Sequence, residues 1–321
     1  MYKYDKRYFD KKAKETGFVR DNLEKVFRLA DILEYINQNP LHKDCLALKG
    51  GTAINLAVFN MPRLSVDIDL DFCKPVSREE MLEYRKRINE DLVTFLQTQG
   101  YSLNLEKGKN PHSLDSWVFW YINSAGNKDN IKVEINYSMR AHILPIIEMP
   151  IQTGFLERSF PIKVLSPLEL FGSKINALIG RSAARDLYDI DNMVYFGTFD
   201  ESEYPILKKC FLFYFMAGSG KEYGTTFDLT GIDSLNWSRI KQTLLPMLRR
   251  SECFDLDVSK KRVKSFLNEL LKPDSKEKEF LQRFKDKEYF PELLFDDTDI
   301  VNRIKNHPMA LWKIREKGDK K

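Results

Sequence analysis

Residues 49–72 read KGGTAINLAVFNMPRLSVDIDLDF. Its last part places Asp67, Asp69 and Asp71 on every second residue of an otherwise apolar run. Alternation of this kind is the period of a β-strand, so the three carboxylates share one face and the apolar side chains occupy the other. Aspartate is depleted in strands, and neighbouring like charges repel. The negative charge of this strand therefore requires an explanation.

Two explanations fit this acidic strand. An edge strand can carry charges because they deter aggregation. Alternatively, Mg²⁺ takes carboxylate oxygens together with substrate phosphates, and two aspartates two residues apart can share a metal pair during phosphoryl or nucleotidyl transfer. The alternation alone does not decide between an edge strand and a metal site.

The residues before the acidic strand favour the metal site. Gly50 and Gly51 fall between a short predicted strand, Leu46–Leu48, and a predicted helix that runs from Thr52 to Phe59. Glycines at this point let the backbone approach a ligand closely, and the helix N-terminus that follows favours an anion. The Thr52 hydroxyl adds a hydrogen-bond donor. An ordinary tight turn is the alternative explanation of the two glycines.

The order of these residues resembles a known signature. The pattern K-G-G-T-A-(x)n-R-x-S-x-D-I-D-L is similar to that of the polymerase-β-like nucleotidyltransferase superfamily, in its AbiEii/MenT branch of toxins from type IV toxin–antitoxin and abortive-infection systems. The matching residues are Gly50, Gly51, Thr52, Arg63, Ser65, Asp67 and Asp69. The resemblance implies a nucleotide-binding site for an NTP substrate and a divalent metal, Mg²⁺ or Mn²⁺, on the two aspartates. Asp71 falls outside the pattern.

The superfamily has a third carboxylate on a later strand, and Glu134 is the best match. The run Ile131–Tyr137 alternates, with Lys132, Glu134 and Asn136 on one face. The resemblance implies that Glu134 holds metal and takes the proton of the incoming hydroxyl. The alternative is an exposed sheet face that carries a polar row.

A second motif, K-x-x-A-L-x-x-R followed by R-D-x-x-D, resembles the later half of the AbiEii signature. Its matching residues are Lys174, Ala177, Leu178, Arg181, Arg185, Asp186 and Asp189. Lys174 and Arg181 are seven residues apart and share one helical face. The resemblance places Lys174 near the triphosphate oxygens as a catalytic point charge. Asp186 and Asp189 then either hold Lys174 or Arg181 in place or reach the nucleotide. The alternative is a surface salt-bridge pattern.

Hydrophobic periodicity divides the chain near residue 165. The predicted elements are a helix over 17–38, a helix opened by the Ser77 cap and running to Gln97, strands at Tyr101–Leu105, Trp117–Ile122 and Ile162–Leu165, a turn over 126–130 and a helix start at Ser166-Pro167-Leu168-Glu169. From there the chain is mostly helical. We therefore predict an α+β fold. Residues 1–165 form a nucleotidyltransferase domain with an N-terminal helical extension and a mixed sheet flanked by helices. Residues 166–321 form a helical domain that contributes Lys174 and Asp186 to the site.

Composition excludes several classes of protein. The 321 residues carry a net charge of only +4, which is too balanced to argue nucleic-acid binding by itself. The four cysteines and four histidines are scattered, which argues against a zinc site and for reduced cytosolic thiols. No secretory h-region or membrane span is expected, so the predicted location is cytoplasmic. Gly218-Ser219-Gly220-Lys221 lacks the remaining P-loop residues and is predicted to be a turn.

The terminal tracts mix aromatic and basic residues. Lys3–Phe9 and Trp312–Lys317 have a composition that suits stacking on bases and contact with phosphates, although solvated termini often look the same. The family resemblance implies a toxin, with RNA, a tRNA 3′ end, as the acceptor and a cognate antitoxin encoded nearby. The alternatives are transfer to a small molecule such as an antibiotic, transfer to a protein hydroxyl, or NTP binding without turnover.

Overall fold

A computed structural model describes residues 3–103, 113–151, 154–218 and 227–315. The chain forms two compact units. The first unit consists of Met1–Arg140, Ile146–Leu165 and Leu245–Glu252, and the second of Ala141–Pro145, Ser166–Leu244 and Cys253–Lys321. The sequence predicted a single division at residue 165. Two short segments depart from that division, because Ala141–Pro145 belongs to the second unit and Leu245–Glu252 returns to the first.

Helices open the first unit. They are α1 (Lys6–Thr16), α2 (Arg20–Gln38), α3 (Pro40–Cys45), α4 (Gly50–Ala53), which continues as a π-helical turn over Ile54–Val58, and α5 (Arg78–Thr98). The predicted helix over 17–38 starts too early, because Gly17 has a φ of 79° and ends the preceding helix α1 in the left-handed region. Helix α1 itself was not predicted.

The start of α5 follows its prediction. The Ser77 hydroxyl accepts a hydrogen bond from the Glu80 backbone N–H at 3.1 Å, and the Glu80 carboxylate accepts one from the Ser77 N–H at 3.0 Å. This reciprocal pair satisfies two N–H groups that a helix start otherwise leaves without partners.

Seven strands of the described residues form one mixed sheet. The strands are β1 (Leu46–Lys49), β2 (Asp67–Phe72), β3 (Ser102–Leu103), β4 (Leu114–Ile122), β5 (Lys128–Asn136), β6 (Ile147–Pro150) and β7 (Pro161–Val164). Their order is β3-β4-β5-β2-β1-β7-β6, with β2 parallel to β5 and antiparallel to β1. The sheet and its helices confirm the predicted α+β class, and β2 is an interior strand. This position excludes the edge-strand explanation of its charge.

Three details of the sheet differ from the sequence prediction. Strand β5 begins at Lys128, inside the predicted turn over 126–130, because the chain reverses earlier, where the Gly126 N–H bonds the Asn123 carbonyl at 2.9 Å. Strand β4 begins three residues earlier than predicted, and β6 was not predicted. Of the predicted strand Tyr101–Leu105, residues 104 and 105 lie outside the described residues.

The core of the first unit lies against the apolar face of β2. Ile68, Leu70 and Phe72 are at most 2% exposed, and they alternate with Asp67 and Asp69 on the opposite face. Val133 and Ile135 of β5 continue this apolar layer. The buried layer therefore fixes which way the carboxylates point, since a slip of one residue would bury them.

The second unit is built from helices in all of its described elements. These are α6 (Pro167–Arg181), α7 (Ala184–Tyr195), α8 (Tyr204–Gly218), α9 (Thr230–Asp233), α10 (Trp237–Thr243), α11 (Leu256–Leu270), α12 (Ser275–Lys285), α13 (Thr298–Ile304) and α14 (Pro308–Arg315). A single 3₁₀ turn, Pro291–Leu293, lies between α12 and α13. The predicted helical character is therefore present in this unit.

The start of α6 differs from its prediction. Pro167 occupies the first turn, but the Ser166 side chain makes no capping hydrogen bond. Glu169 is fully buried and accepts backbone N–H groups of Ile143 and Leu144 at 3.2 and 2.9 Å. Burial alone would raise the pKa of Glu169, but hydrogen bonds from His142 and Tyr214 and the backbone lower it. Glu169 thus holds Ala141–Pro145 within the second unit.

Among the described residues, no helix is both long enough and apolar enough to cross a membrane.

Candidate active site

Asp67 and Asp69 share one face of the sheet with Glu134. Strand β2 pairs in parallel with β5, and this register sets Asp67 opposite Lys132 and Asp69 opposite Glu134. Paired residues on neighbouring strands project to the same side of a sheet. Neighbouring strands lie about 4.8 Å apart, so side chains in this arrangement can reach one cation. The pairing brings together the three carboxylates that the sequence assigned to metal.

Asp71 differs from the other two aspartates. It is 1% exposed, and its carboxylate pairs with the Lys49 ammonium at 2.5 Å. Its charge is therefore compensated inside the protein. This contact gives a structural reason for an aspartate beyond the D-x-D pair.

Gly50 lies directly against Asp69. Its φ is 68°, a conformation that side-chain-bearing residues rarely adopt. A Cβ at this position would lie 2.6 Å from Asp69 Oδ2. Only glycine therefore permits both this backbone conformation and the close approach of the turn to the carboxylate.

Buried polar side chains support the glycine turn. Thr52 and Arg63 are at most 1% exposed, and Ser65 is 5% exposed. The Thr52 hydroxyl lies 2.9 Å from the Ser65 hydroxyl and also bonds the Asp67 carbonyl. A Cβ on Gly51 would lie 2.7 Å from Arg63 Nη2, so the guanidinium sits against the turn. These predicted nucleotide-binding residues are placed to hold the turn against β2 from the protein interior.

The carboxylates of Asp67, Asp69 and Glu134 suit a hard divalent cation, which prefers carboxylate oxygens. In the described part of the chain, no group of three His, Cys, Asp or Glu side chains converges as ready-made metal ligands. Glu134 instead pairs with Lys132 at 2.7 Å. A cation bound by Asp67, Asp69 and Glu134 would therefore compete with the Lys132 ammonium for the Glu134 carboxylate.

The second motif forms a compact ionic network within the second unit. Lys174 Nζ lies 3.0 Å from Asp186 Oδ1 and 3.2 Å from Asp189 Oδ2. Arg181 donates two hydrogen bonds to Asp186, at 2.7 and 3.0 Å. Lys174 is 7% exposed, and the two aspartates are at most 1% exposed. Lys174 and its two aspartates are therefore a buried ionic cluster, in which both carboxylates hold the lysine, and the exposed Arg181 side chain joins it from the surface.

The network perturbs the titration of Asp186. Burial alone would raise the pKa of this carboxyl. The charges of Lys174 and Arg181, together with their hydrogen bonds, outweigh burial and lower the pKa of Asp186 to about 2. Asp186 therefore stays ionised at every physiological pH and keeps both cations oriented.

Other motifs have structural roles or lie outside the described residues. Gly218 ends α8, and the remaining residues of the tract 218–221 are not among those described. In the N-terminal tract, Tyr4 stacks on Tyr8 with ring centroids 4.3 Å apart, and both rings meet Phe27 edge-on. These aromatic rings pack α1 onto α2. In the structure these rings of the N-terminal tract therefore have a packing role.

Two lysines on the carboxylate face were not assigned from the sequence. Lys49, the residue before the glycines, lies opposite Asp69 and pairs with Asp71. Lys132 lies opposite Asp67 and pairs with Glu134. Lys49 belongs to the quoted K-G-G-T-A pattern, and Lys132 shares the strand face of Glu134. The sequence therefore contained a local pattern that pointed to each lysine. The pairing of strands, which one sequence does not show, was needed to use them.

Comparison with known proteins identifies a family and a similar structure. The family described as nucleotidyl transferase AbiEii toxin, type IV TA system, matches residues 31–297. The structure is similar to MenT4, a nucleotidyltransferase toxin from Mycobacterium tuberculosis H37Rv, with a TM-score of 0.61 and 15% identity over 96% of this chain and 99% of that one. No curated protein matches the sequence. The match covers most of the chain, which therefore belongs to the AbiEii family of nucleotidyltransferase toxins of type IV toxin–antitoxin systems.

Proposed function

We propose that this toxin transfers a nucleotide from an NTP to an RNA hydroxyl, with the 3′ end of tRNA as acceptor. We further propose that Asp67, Asp69 and Glu134 hold a divalent metal, Mg²⁺ or Mn²⁺. The observation that supports the site is the pairing of Asp69 with Glu134 beside Gly50. A metal bound there supplies charge that offsets the repulsion of the carboxylates and polarises the phosphate oxygens.

The residues around the carboxylates have distinct roles in this proposal. The Gly50-Gly51 backbone, free of side chains, lies against the triphosphate. Thr52, Ser65 and Arg63 keep that backbone in place from the buried side. Glu134 accepts the proton of the acceptor hydroxyl, whose oxygen bonds to the α-phosphorus. The bond from that phosphorus to the bridging oxygen breaks, and pyrophosphate leaves with its electron pair.

Lys174 remains a proposed catalytic contact to the triphosphate, on the family resemblance. Within its own unit, Asp186 and Asp189 fix the position of its ammonium, and Asp186 also orients Arg181. An ammonium held in this way costs little reorganisation when it meets a developing negative charge. Arg181, Asp186 and Asp189 are proposed to complete the nucleotide-binding set.

The partners follow from the same proposal. A toxin of this family implies a cognate antitoxin, which we propose is encoded by a neighbouring reading frame. We place the reaction in the cytoplasm, where NTPs and tRNA meet. The proposed acceptor is RNA because a toxin must modify a molecule on which growth depends.

A labelling experiment identifies the molecule that accepts the nucleotide. The purified chain is incubated with each labelled NTP, Mg²⁺ and total RNA, beside Asp69→Ala and an Asp71→Asn control. We expect label on tRNA with wild type and Asp71→Asn, and none with Asp69→Ala or after chelation with EDTA. Sequencing of the labelled RNA then locates the added nucleotide. Equal labelling by wild type and Asp69→Ala, or label on a protein or small molecule, contradicts the proposal.

A further inference from the structure

Helix α1 concentrates positive charge. Its sequence, KRYFDKKAKET, has five basic and two acidic residues, so it contributes three of the four net charges of the whole chain. The near-neutral balance of the full sequence therefore conceals a basic segment. An uneven distribution of this kind is the electrostatic footprint of polyanion binding.

Four of the five cations of α1 are exposed because Phe9 faces inward, and the fifth, Lys12, pairs with Glu157. Phe9 is fully buried and packs edge-on against Phe27, 5.4 Å away between ring centroids. Arg7 and Lys14 are exposed, and they are seven residues apart on one helical face. Among the described residues, neither of these two side chains has an ion-pair partner. Their charge is therefore available to a ligand.

A cavity of about 430 Å³ lies beside this face of α1. Its lining consists of Asp10, Ala13, Lys14, Val19, Arg20, Asp21 and Arg250. Arg20 forms ion pairs with both acidic residues of the lining, Asp21 at 2.7 Å and Asp10 at 3.3 Å. Lys14 and Arg250 are left at the cavity as exposed cations with no ion pair to any described residue. An anion would supply the missing partner.

Arg250 comes from Leu245–Glu252, the segment that returns to the first unit. Arg249 fixes this return segment, because its guanidinium donates to the Thr16 carbonyl at 2.8 Å and lies 4.4 Å from the centre of the Phe18 ring. The Arg250 N–H donates to the Gly17 carbonyl at 2.9 Å. Arg250 is thereby held at the turn between α1 and α2 with its side chain exposed.

The same return segment also reaches the candidate active site. Leu248 forms a β-bridge with Arg63, and the Leu64 N–H donates to the Met247 carbonyl at 2.8 Å. Arg63 in turn lies against Gly51. Two residues of extended chain span at most about 7 Å. Arg250 is therefore close, along the return segment, to the residues that support the glycine turn.

We propose that Arg7, Lys14 and Arg250 form a docking surface for the phosphate backbone of the acceptor RNA. This inference rests on the proposed function. Three cations with no ion pair to the part of the chain that the structure describes match the regular negative charge of an RNA strand, and contact with phosphates positions a nucleic acid without reading its sequence. The return segment connects this surface to Arg63, which lies against Gly51 of the glycine turn.

An acidic protein is the other class of ligand that such a surface can attract. RNA is favoured for two reasons. The residues that line the cavity include no aromatic side chain and five charged ones, whereas the centre of a protein interface is usually enriched in aromatic residues and depleted in charged ones. The surface also connects through Leu248 to Arg63 of the site, as the docking surface of a substrate should.

The test is a charge-reversal variant, Arg7→Glu/Lys14→Glu/Arg250→Glu. We expect the KM for tRNA to rise about tenfold or more, with the KM for NTP unchanged. Binding of fluorescent tRNA, measured by anisotropy at several salt concentrations, should lose about one unit of log–log salt slope for each contact removed. Circular dichroism checks that the exposed substitutions leave the fold intact.

The matched control is Arg78→Glu/Lys86→Glu/Arg87→Glu, which makes the same change in net charge at three exposed positions of α5. The control should bind tRNA like wild type, and Arg7→Lys/Arg250→Lys should keep wild-type affinity. Unchanged tRNA affinity in the first variant overturns the docking surface, even if wild type labels tRNA. Retained tRNA affinity with loss of the neighbouring gene product in co-purification assigns the surface to an acidic partner instead. If wild type labels no RNA, the proposed function fails separately, and anisotropy alone decides the surface.

Discussion

Asp69 lies directly opposite Glu134 in the parallel pair of strands, and its other neighbour across the sheet is Lys49. Residues from three separate segments therefore meet at one aspartate, with Gly50 packed against its carboxylate. Such a convergence needs an interior strand, since an edge strand has a neighbour on one side only. The charge of β2 is thus placed where two adjacent strands can share a ligand.

Asp69→Asn should abolish transfer with little effect on the fold. The amide keeps the size of the carboxylate but removes the negative charge that a metal requires. We expect the rate to fall by roughly 10²–10³-fold or more, the range for loss of one preorganised electrostatic contact. Single-turnover transfer from labelled NTP measures the rate, and urea unfolding measures stability.

Asp71→Asn should give the opposite pattern. Asp71 is buried and pairs with Lys49, so the substitution removes one half of a largely buried ion pair. We expect a loss of about 1–3 kcal/mol in the free energy of unfolding, with transfer within about tenfold of wild type. If Asp71→Asn is as inactive as Asp69→Asn, Asp71 belongs to the site.

Gly50→Ala should reduce activity far more than stability. The methyl group would lie 2.6 Å from Asp69 Oδ2 and would displace that carboxylate. The left-handed conformation adds strain of about 1–2 kcal/mol. Gly126→Ala is the control, because Gly126 has a φ of 84° and nothing within 4 Å of the added Cβ. Both variants should lose similar stability in urea unfolding, and only Gly50→Ala should lose transfer.

Thiol labelling should distinguish one cysteine from the other three. Burial raises the pKa of Cys45 to about 11 and that of Cys73 to about 12, and it also raises the pKa of the fully buried Cys210. Thiolate is the reactive form, so these three should resist iodoacetamide near neutral pH. The exposed Cys253 should react. Mass spectrometry of the native protein should show one label, and four after unfolding; two or more labels on the native chain contradict the raised pKa values of Cys45, Cys73 and Cys210.

The sequence predicted those features of the site that a few consecutive residues determine. The alternation of Asp67 and Asp69, the glycine turn and the polar face of Glu134 are local patterns, and the structure contains each of them. The pairing of Asp69 with Glu134 and the burial of Thr52 depend on contacts between distant segments, which alternation does not specify. The return of Leu245–Glu252 to the first unit was missed for the same reason, since no local signal marks a segment that packs against Arg63.

The pH dependence of stability should depend on Asp186. Its pKa is lowered from 3.8 to about 2 by Lys174 and Arg181, which outweigh the effect of burial. A carboxyl whose pKa is depressed on folding stabilises the protein above its unfolded pKa, and this stabilisation is lost as pH falls toward the folded pKa. The shift corresponds to about 2 kcal/mol, since one pKa unit is about 1.4 kcal/mol.

The variant Asp186→Asn cannot make this contribution, so it should be less stable than wild type near pH 7. The difference between the two proteins should then shrink by about 2 kcal/mol as pH falls through the window from 3.8 to about 2. Urea unfolding of both proteins across that window measures it, and the other carboxylates cancel because both chains share them. A difference that stays constant with pH would show that the ionic network does not depress the titration of Asp186.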